Sequence, residues 1–189
     1  MKKLNRLFTL GALSMIFLTS CDDDPLEDPI IPNEEEVITT LHYTLISYNG
    51  GDTIVFTFQD LDGDGGNPPI VLEGTLDSNT TYSGTILLLN EIENPAEDIT
   101  TEVADEAEDH QFFYQTALSD LNITYNDMDI NGDPIGISTQ INTNGPGMGT
   151  LVITLRHEPN KGGSGVSDGD ISNAGGETDI EVTFNVEIQ

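Results

Sequence analysis

The chain has one cysteine, no tryptophan, and five lysines and arginines against 34 aspartates and glutamates in 189 residues. A single cysteine excludes an internal disulfide. So few cations exclude a nucleic-acid binder, because phosphates are held by clustered Lys and Arg, and the same repulsion applies to anionic lipid. Without Trp, a sugar-binding cleft would have to build its aromatic platform from Tyr and Phe. No Gly-x-Ser-x-Gly nucleophile turn occurs, and Gly162-Gly163-Ser164-Gly165 lacks the lysine of a phosphate loop and reads as flexible linker. Long apolar runs are missing too. The run from Leu7 to Leu18 is about a dozen residues, short of the roughly 20 that a spanning helix needs.

What the N-terminus does have is Lys2, Lys3 and Arg6, that apolar run, and then Leu18-Thr19-Ser20-Cys21. This order is that of a secretory signal, and its last four residues resemble the bacterial lipobox. The resemblance implies cleavage before Cys21 and lipidation of its sulfur. Asp22-Asp23-Asp24 behind it resembles the export signal of surface lipoproteins in Bacteroidota, which implies the outer face of the outer membrane, with the periplasmic face as the alternative. Residues 1–20 are then a signal peptide. Residues 21–36, with Pro25, Pro29, Pro32 and Glu34 to Glu36, form an acidic tether that proline and like charge keep extended. Losing the three signal cations moves the formal charge from −29 to −32 and leaves only Arg156 and Lys161. Divalent metals and polycations are the natural partners of such a chain, and a protein or glycan partner stays unspecified.

From residue 37 to 189 the pattern is period-two alternation, which predicts a single all-β domain. Nine strands are expected: 37–48, 53–60, 70–77, 81–90, 110–117, 121–127, 135–142, 150–158 and 178–188. Asp98 to Glu106 has room for two helical turns. In the first strand Val37, Leu41, Tyr43 and Leu45 share a face; in the last, Ile180, Val182, Phe184, Val186 and Ile188 do. Many short strands joined by turns predict an antiparallel β-sandwich, with an up-and-down β-barrel as the alternative.

The segments Gln59 to Gly65, His110 to Tyr114, Leu155 to Lys161 and Gly175 to Asp179 resemble those of a family of uncharacterised flavobacterial (Bacteroidota) lipoproteins of similar length. Some members carry the label of a type 1 periplasmic-binding fold. That fold needs two α/β lobes and about twice this length, so the label does not suit these residues. The resemblance implies no activity.

Successive strands of such a domain cross it in opposite directions, so the loops alternate between two ends. The long acidic loops 60–69, 91–109, 128–134 and 159–177 therefore gather at the end where the tether enters. Two of them, Asp60-x-Asp62-x-Asp64-Gly65 and Asp127-x-Asp129-x-Asn131-Gly132-Asp133, have the alternating oxygen ligands and sixth-position glycine of a calcium loop. Val71 and Ser138 stand where an EF-hand has its closing glutamate, so the expectation is a non-EF calcium site. His110 shares a face with Phe112 and Tyr114, and His157 with Ile153 and Leu155. Asp60 and Asp127 are in the same inward phase, a donor set suited to zinc or to acid–base chemistry. His42 is out of phase and expected at the surface. The leading expectation is a non-enzymatic, lipid-anchored module that binds a divalent cation, calcium foremost. A barrel carrier of an apolar ligand and a metal-dependent hydrolase using His110 and His157 are the alternatives.

Overall fold

A computed structural model describes residues 36–51, 53–63 and 65–189. Cys21, the expected signal peptide and the expected tether up to residue 35 lie outside the described residues, as does Asp64. Among the described residues the alternating stretches become eleven strands, one helix and two short 3-10 turns. In chain order these are β1 (Thr40–Ser47), β2 (Ile54–Gln59), β3 (Ile70–Leu72), β4 (Thr75–Leu76), β5 (Thr81–Asn90), β6 (Glu97–Asp98), α1 (Ile99–Asp105), β7 (His110–Thr116), β8 (Leu121–Tyr125), β9 (Ser138–Thr143), β10 (Gly147–His157) and β11 (Glu177–Ile188). The 3-10 turns are Val166–Asp168 and Ile171–Asn173.

The strands form two sheets. One runs β3-β2-β1-β5-β9-β8 with β6 beside β5; the other runs β4-β11-β10-β7. Neither closes on itself, so the fold is an all-β sandwich and the barrel alternative is set aside. Apolar residues at every second position turn one face of each sheet inward. Leu41, Tyr43, Leu45, Phe56, Ile86 and Leu88 of the first sheet meet Phe112, Ile153, Leu155, Val182, Phe184 and Val186 of the second in one core. Phe56 and Phe184 meet edge to face at 5.5 Å across it.

Three departures from the expected strands have local causes. The expected strand 70–77 is split, because β3 pairs with β2 while β4 lies parallel to β11 in the other sheet. The expected strand 135–142 begins late, at Ser138. Its first residues stitch the sheets together instead: the Ile135 carbonyl accepts the amide of Phe112, and that of Ile137 accepts the amide of Ile86. Val37, expected inward, precedes β1 and is 55% exposed.

The loop 159–177 is not a free linker. The first four residues of β7 are buried on both faces of the strand, and Phe113 packs apart from the main core. Val166 and Ala174, with Ile171 beside them, close over it as a second small core. Gln111 Nε2 donates to the Val166 carbonyl at 2.9 Å, which fixes the loop to the sheet. The pairings give the strand directions, and these place 60–69, 91–109, 126–137 and 158–176 at the end where the chain enters β1.

Candidate metal centre

At that end four side chains converge: Glu36, His110, His157 and Asp179, whose nearest donor atoms all lie within 4.8 Å of one another. His110 opens β7 and His157 closes β10, and the two are direct cross-strand partners. Their rings are 4.7 Å apart, centroid to centroid. Strict alternation would put Asp179 on the solvent face beside Glu181. A bulge prevents this. Leu155 pairs with Ile180 but the next residue, Arg156, pairs with Thr178, so Asp179 is the extra residue of β11. Bulges re-aim a side chain in this way, and the Asp179 carboxylate ends 1% exposed. Gly176 makes the approach possible. It has φ +69, and a Cβ there would fall 2.2 Å from the His157 carbonyl oxygen. Glu36 arrives from the other sheet, four residues ahead of β1, with its side chain 2% exposed.

The separations suit a shared cation. His110 Nε2 is 2.9 Å from Glu36 Oε1 and 3.9 Å from Asp179 Oδ2. His157 Nδ1 is 3.8 Å from Glu36 Oε2 and 3.8 Å from Asp179 Oδ1. Donors about 2.0–2.1 Å from a tetrahedral metal stand roughly 3.3 Å from one another.

The protonation of His110 sharpens this. Its Nδ1 lies 3.2 Å from the Glu106 carbonyl at the end of α1, and a carbonyl only accepts, so Nδ1 carries the hydrogen. Nε2 is then the ring nitrogen left to face the two carboxylates. Neither contact is aligned as a hydrogen bond: His110 Nε2, Glu36 Oε2 and both Asp179 oxygens are buried without one. Buried polar atoms are almost always satisfied; a cation between these would satisfy all of them together. An outer carbonyl holding the imidazole in its ligating tautomer is the usual support for a metal-bound histidine. Burial, then the charge of Glu36, pushes the Asp179 carboxyl up to about 6 against the pull of both histidines. Burial, then the charges of Glu36, Glu106 and Glu97, likewise raises nearby Glu102. Negative charge is crowded here.

The other expected ligands are engaged differently. Asp60 Oδ1 accepts the amides of Asp62 and Gly63, and Asp62 Oδ2 accepts both nitrogens of Asn67. Asn67 holds the Asp62 carboxyl below its usual range. Asp127 spends one oxygen on the amide of Gly136 and the other on that of Ser138. Asp129 Oδ1 accepts from Asn131 and Asp133, while its Oδ2 meets Lys161 Nζ at 2.9 Å. Asn131 Nδ2 reaches Glu108 Oε1 at 3.4 Å. The amide of Asp133 is thus a donor within this loop. His42 is half-buried on the outer face, Nδ1 2.9 Å from Thr57 Oγ1.

Sequence reasoning paired the histidines correctly but expected Asp60 and Asp127 beside them; Glu36 and Asp179 stand there instead. It also passed over Lys161. That ammonium is buried and donates to the carbonyls of Ala107 and Pro134 and to Asp129, so three long loops meet on one cation. The signals were present: paired glycines just before β11, and a lone lysine among acidic loops. Comparison with family models, with curated proteins and with solved structures finds no match to this chain.

Proposed function

We propose that this chain is a lipid-anchored cell-envelope module whose β domain holds one divalent transition-metal ion, zinc fitting best, at Glu36, His110, His157 and Asp179. The observation that carries the reading is the convergence of two imidazoles and two carboxylates, among which His110 Nε2, Glu36 Oε2 and both Asp179 oxygens are buried without a hydrogen bond. Two nitrogens and two oxygens suit zinc. Calcium takes six to eight oxygens and has little use for imidazole. Calcium at Asp60–Asp64 or Asp127–Asp133 is the weaker reading, because the carboxylates of Asp60, Asp62, Asp127 and Asp129 already accept amides or a lysine.

The role is structural rather than catalytic. Four protein donors fill a tetrahedral shell, whereas a hydrolytic zinc keeps a position for water. An apolar carrier would need a lumen, and the space between the sheets is filled by Tyr43, Phe56, Phe112 and Phe184. A groove lined by Val37, Phe58, Asp60, Ile92 and Asp179 runs beside the site and offers an ion a way in.

Metal analysis of the purified chain, with melts in zinc and in EDTA, tests this. Zinc at about 100 times its Kd should add about 2.7 kcal/mol of stability, a rise of roughly 5–11 °C for a domain of this size. His110→Ala and His157→Ala should abolish both the bound metal and the shift. Parent protein that neither retains zinc nor melts higher with it would end the proposal. Lipid anchoring has its own check: Cys21→Ala should move the chain from the membrane to the soluble fraction.

A further inference from the structure

We infer that the ion fastens the segment leading into β1 to the opposite sheet, so that metal occupancy decides whether the tether-side start of the domain is seated. This rests on the metal reading above. Three of the four donors sit on neighbouring strands of one sheet: His110 on β7, His157 on β10 and Asp179 on β11. The ladder pairs those strands on both sides of the bulge at Asp179, so their positions do not depend on an ion. Glu36 is different. It is the donor that belongs to the chain of the first sheet, and it comes before that sheet's first strand.

Little else holds this stretch. Among the described residues its first backbone hydrogen bonds are those of Thr39, whose amide donates to Leu89 and whose carbonyl accepts from Asp60. Val37 is exposed, and Ile38 packs only partly against the core. Without a cation, Glu36 Oε2 and both Asp179 oxygens are buried with no hydrogen bond, a state that buried polar atoms rarely keep. Asp179 is held by its strand; Glu36 is at the loose end and is the one that leaves. With a cation the same carboxylate becomes a ligand, and residues 36–38 are drawn against the histidines. The segment therefore has two positions, and the ion chooses between them.

Hydrogen exchange on the full-length chain isolated from cells, stripped with EDTA and reloaded with zinc, tests the clasp. Zinc should slow exchange in a peptide covering 36–41 by about tenfold or more. A peptide inside residues 180–188 should change far less. Glu36→Gln should weaken zinc binding about 100-fold or more, beyond the 10–100-fold typical of losing an outer partner, and at saturating zinc its 36–41 peptide should exchange as in the stripped parent. Zinc bound at full affinity by Glu36→Gln, or exchange at 36–41 unchanged by zinc in the parent, overturns the clasp and leaves the metal site standing. A parent chain that binds no zinc overturns both.

Discussion

Lys161→Met removes an ammonium and keeps most of its apolar stem. The ammonium is buried, and it satisfies Asp129 Oδ2 at 2.9 Å together with the carbonyls of Ala107 and Pro134. Removing one partner of a buried ion pair strands the other charge, at a cost of about 3–5 kcal/mol. Each orphaned carbonyl costs roughly 1 kcal/mol more where water cannot replace the donor. The three loops meet at one end of the sandwich and can admit water, so the total should stay near 3–5 kcal/mol, a fall in Tm of about 6–20 °C. Urea unfolding followed by circular dichroism measures it. Adding Asp129→Asn to the lysine variant should recover about 1–2 kcal/mol, because the stranded charge is gone while Oδ1 still accepts the amides of Asn131 and Asp133. The acid limb gives a second reading. Desolvation opposes the charge on Asp129, but Lys161 and the amides of Asp133 and Asn131 outweigh it and hold the carboxyl below its usual range. A depressed carboxylate stabilises fully above its unfolded value near 3.9, and that stability is lost as pH falls through the folded value. The gap between parent and variant should therefore close in acid, below about pH 4. A single variant within about 0.5 kcal/mol of the parent, or a double variant as costly as the two singles summed, would refute the buried pair as the joint of these loops.

Gly176→Ala should lower both stability and zinc affinity, since its Cβ would press on the His157 carbonyl at a left-handed φ; zinc titration and melting check it. Phe184→Ala should cost about 3–5 kcal/mol in urea unfolding, because the ring is wholly buried against Phe56. Asp127→Asn should cost about 1–3 kcal/mol, because an amide NH₂ would face one of the two backbone N–H groups that now share the carboxylate. For Phe113→Ala, the loss should appear locally as faster hydrogen exchange in 163–174, the loop that packs on that ring.

Much of this architecture was legible in the residues. Period two is a property of the backbone itself, so Leu41, Tyr43 and Leu45 on β1 and Ile180 to Ile188 on β11 could be assigned to the core without coordinates. Alternating strand direction put the acidic loops at one end by counting alone. It placed His110 and His157 inward at that end, where they now touch. Asp98 to Glu106 was readable as helix, and α1 lies within it, capped by Asp98 accepting the amide of Thr100.

What remained illegible depends on register and on contacts between sheets. A single bulge reverses the parity of β11 locally, so Asp179 faces inward although period two sends it out. Glu36 looks like the last residue of a charged tether, and nothing near it in sequence reveals that β1 will deliver it to the histidines. Lys161 sits in a Gly/Ser/Asp stretch that has no period to read; its partners Ala107, Asp129 and Pro134 lie 27 or more positions away. Sequence by itself determined which faces are apolar and which end is charged, because both follow from repeating backbone geometry. Only the tertiary structure decided which carboxylates meet the histidines, because that choice is made by one unpaired residue and by how two sheets lie against each other.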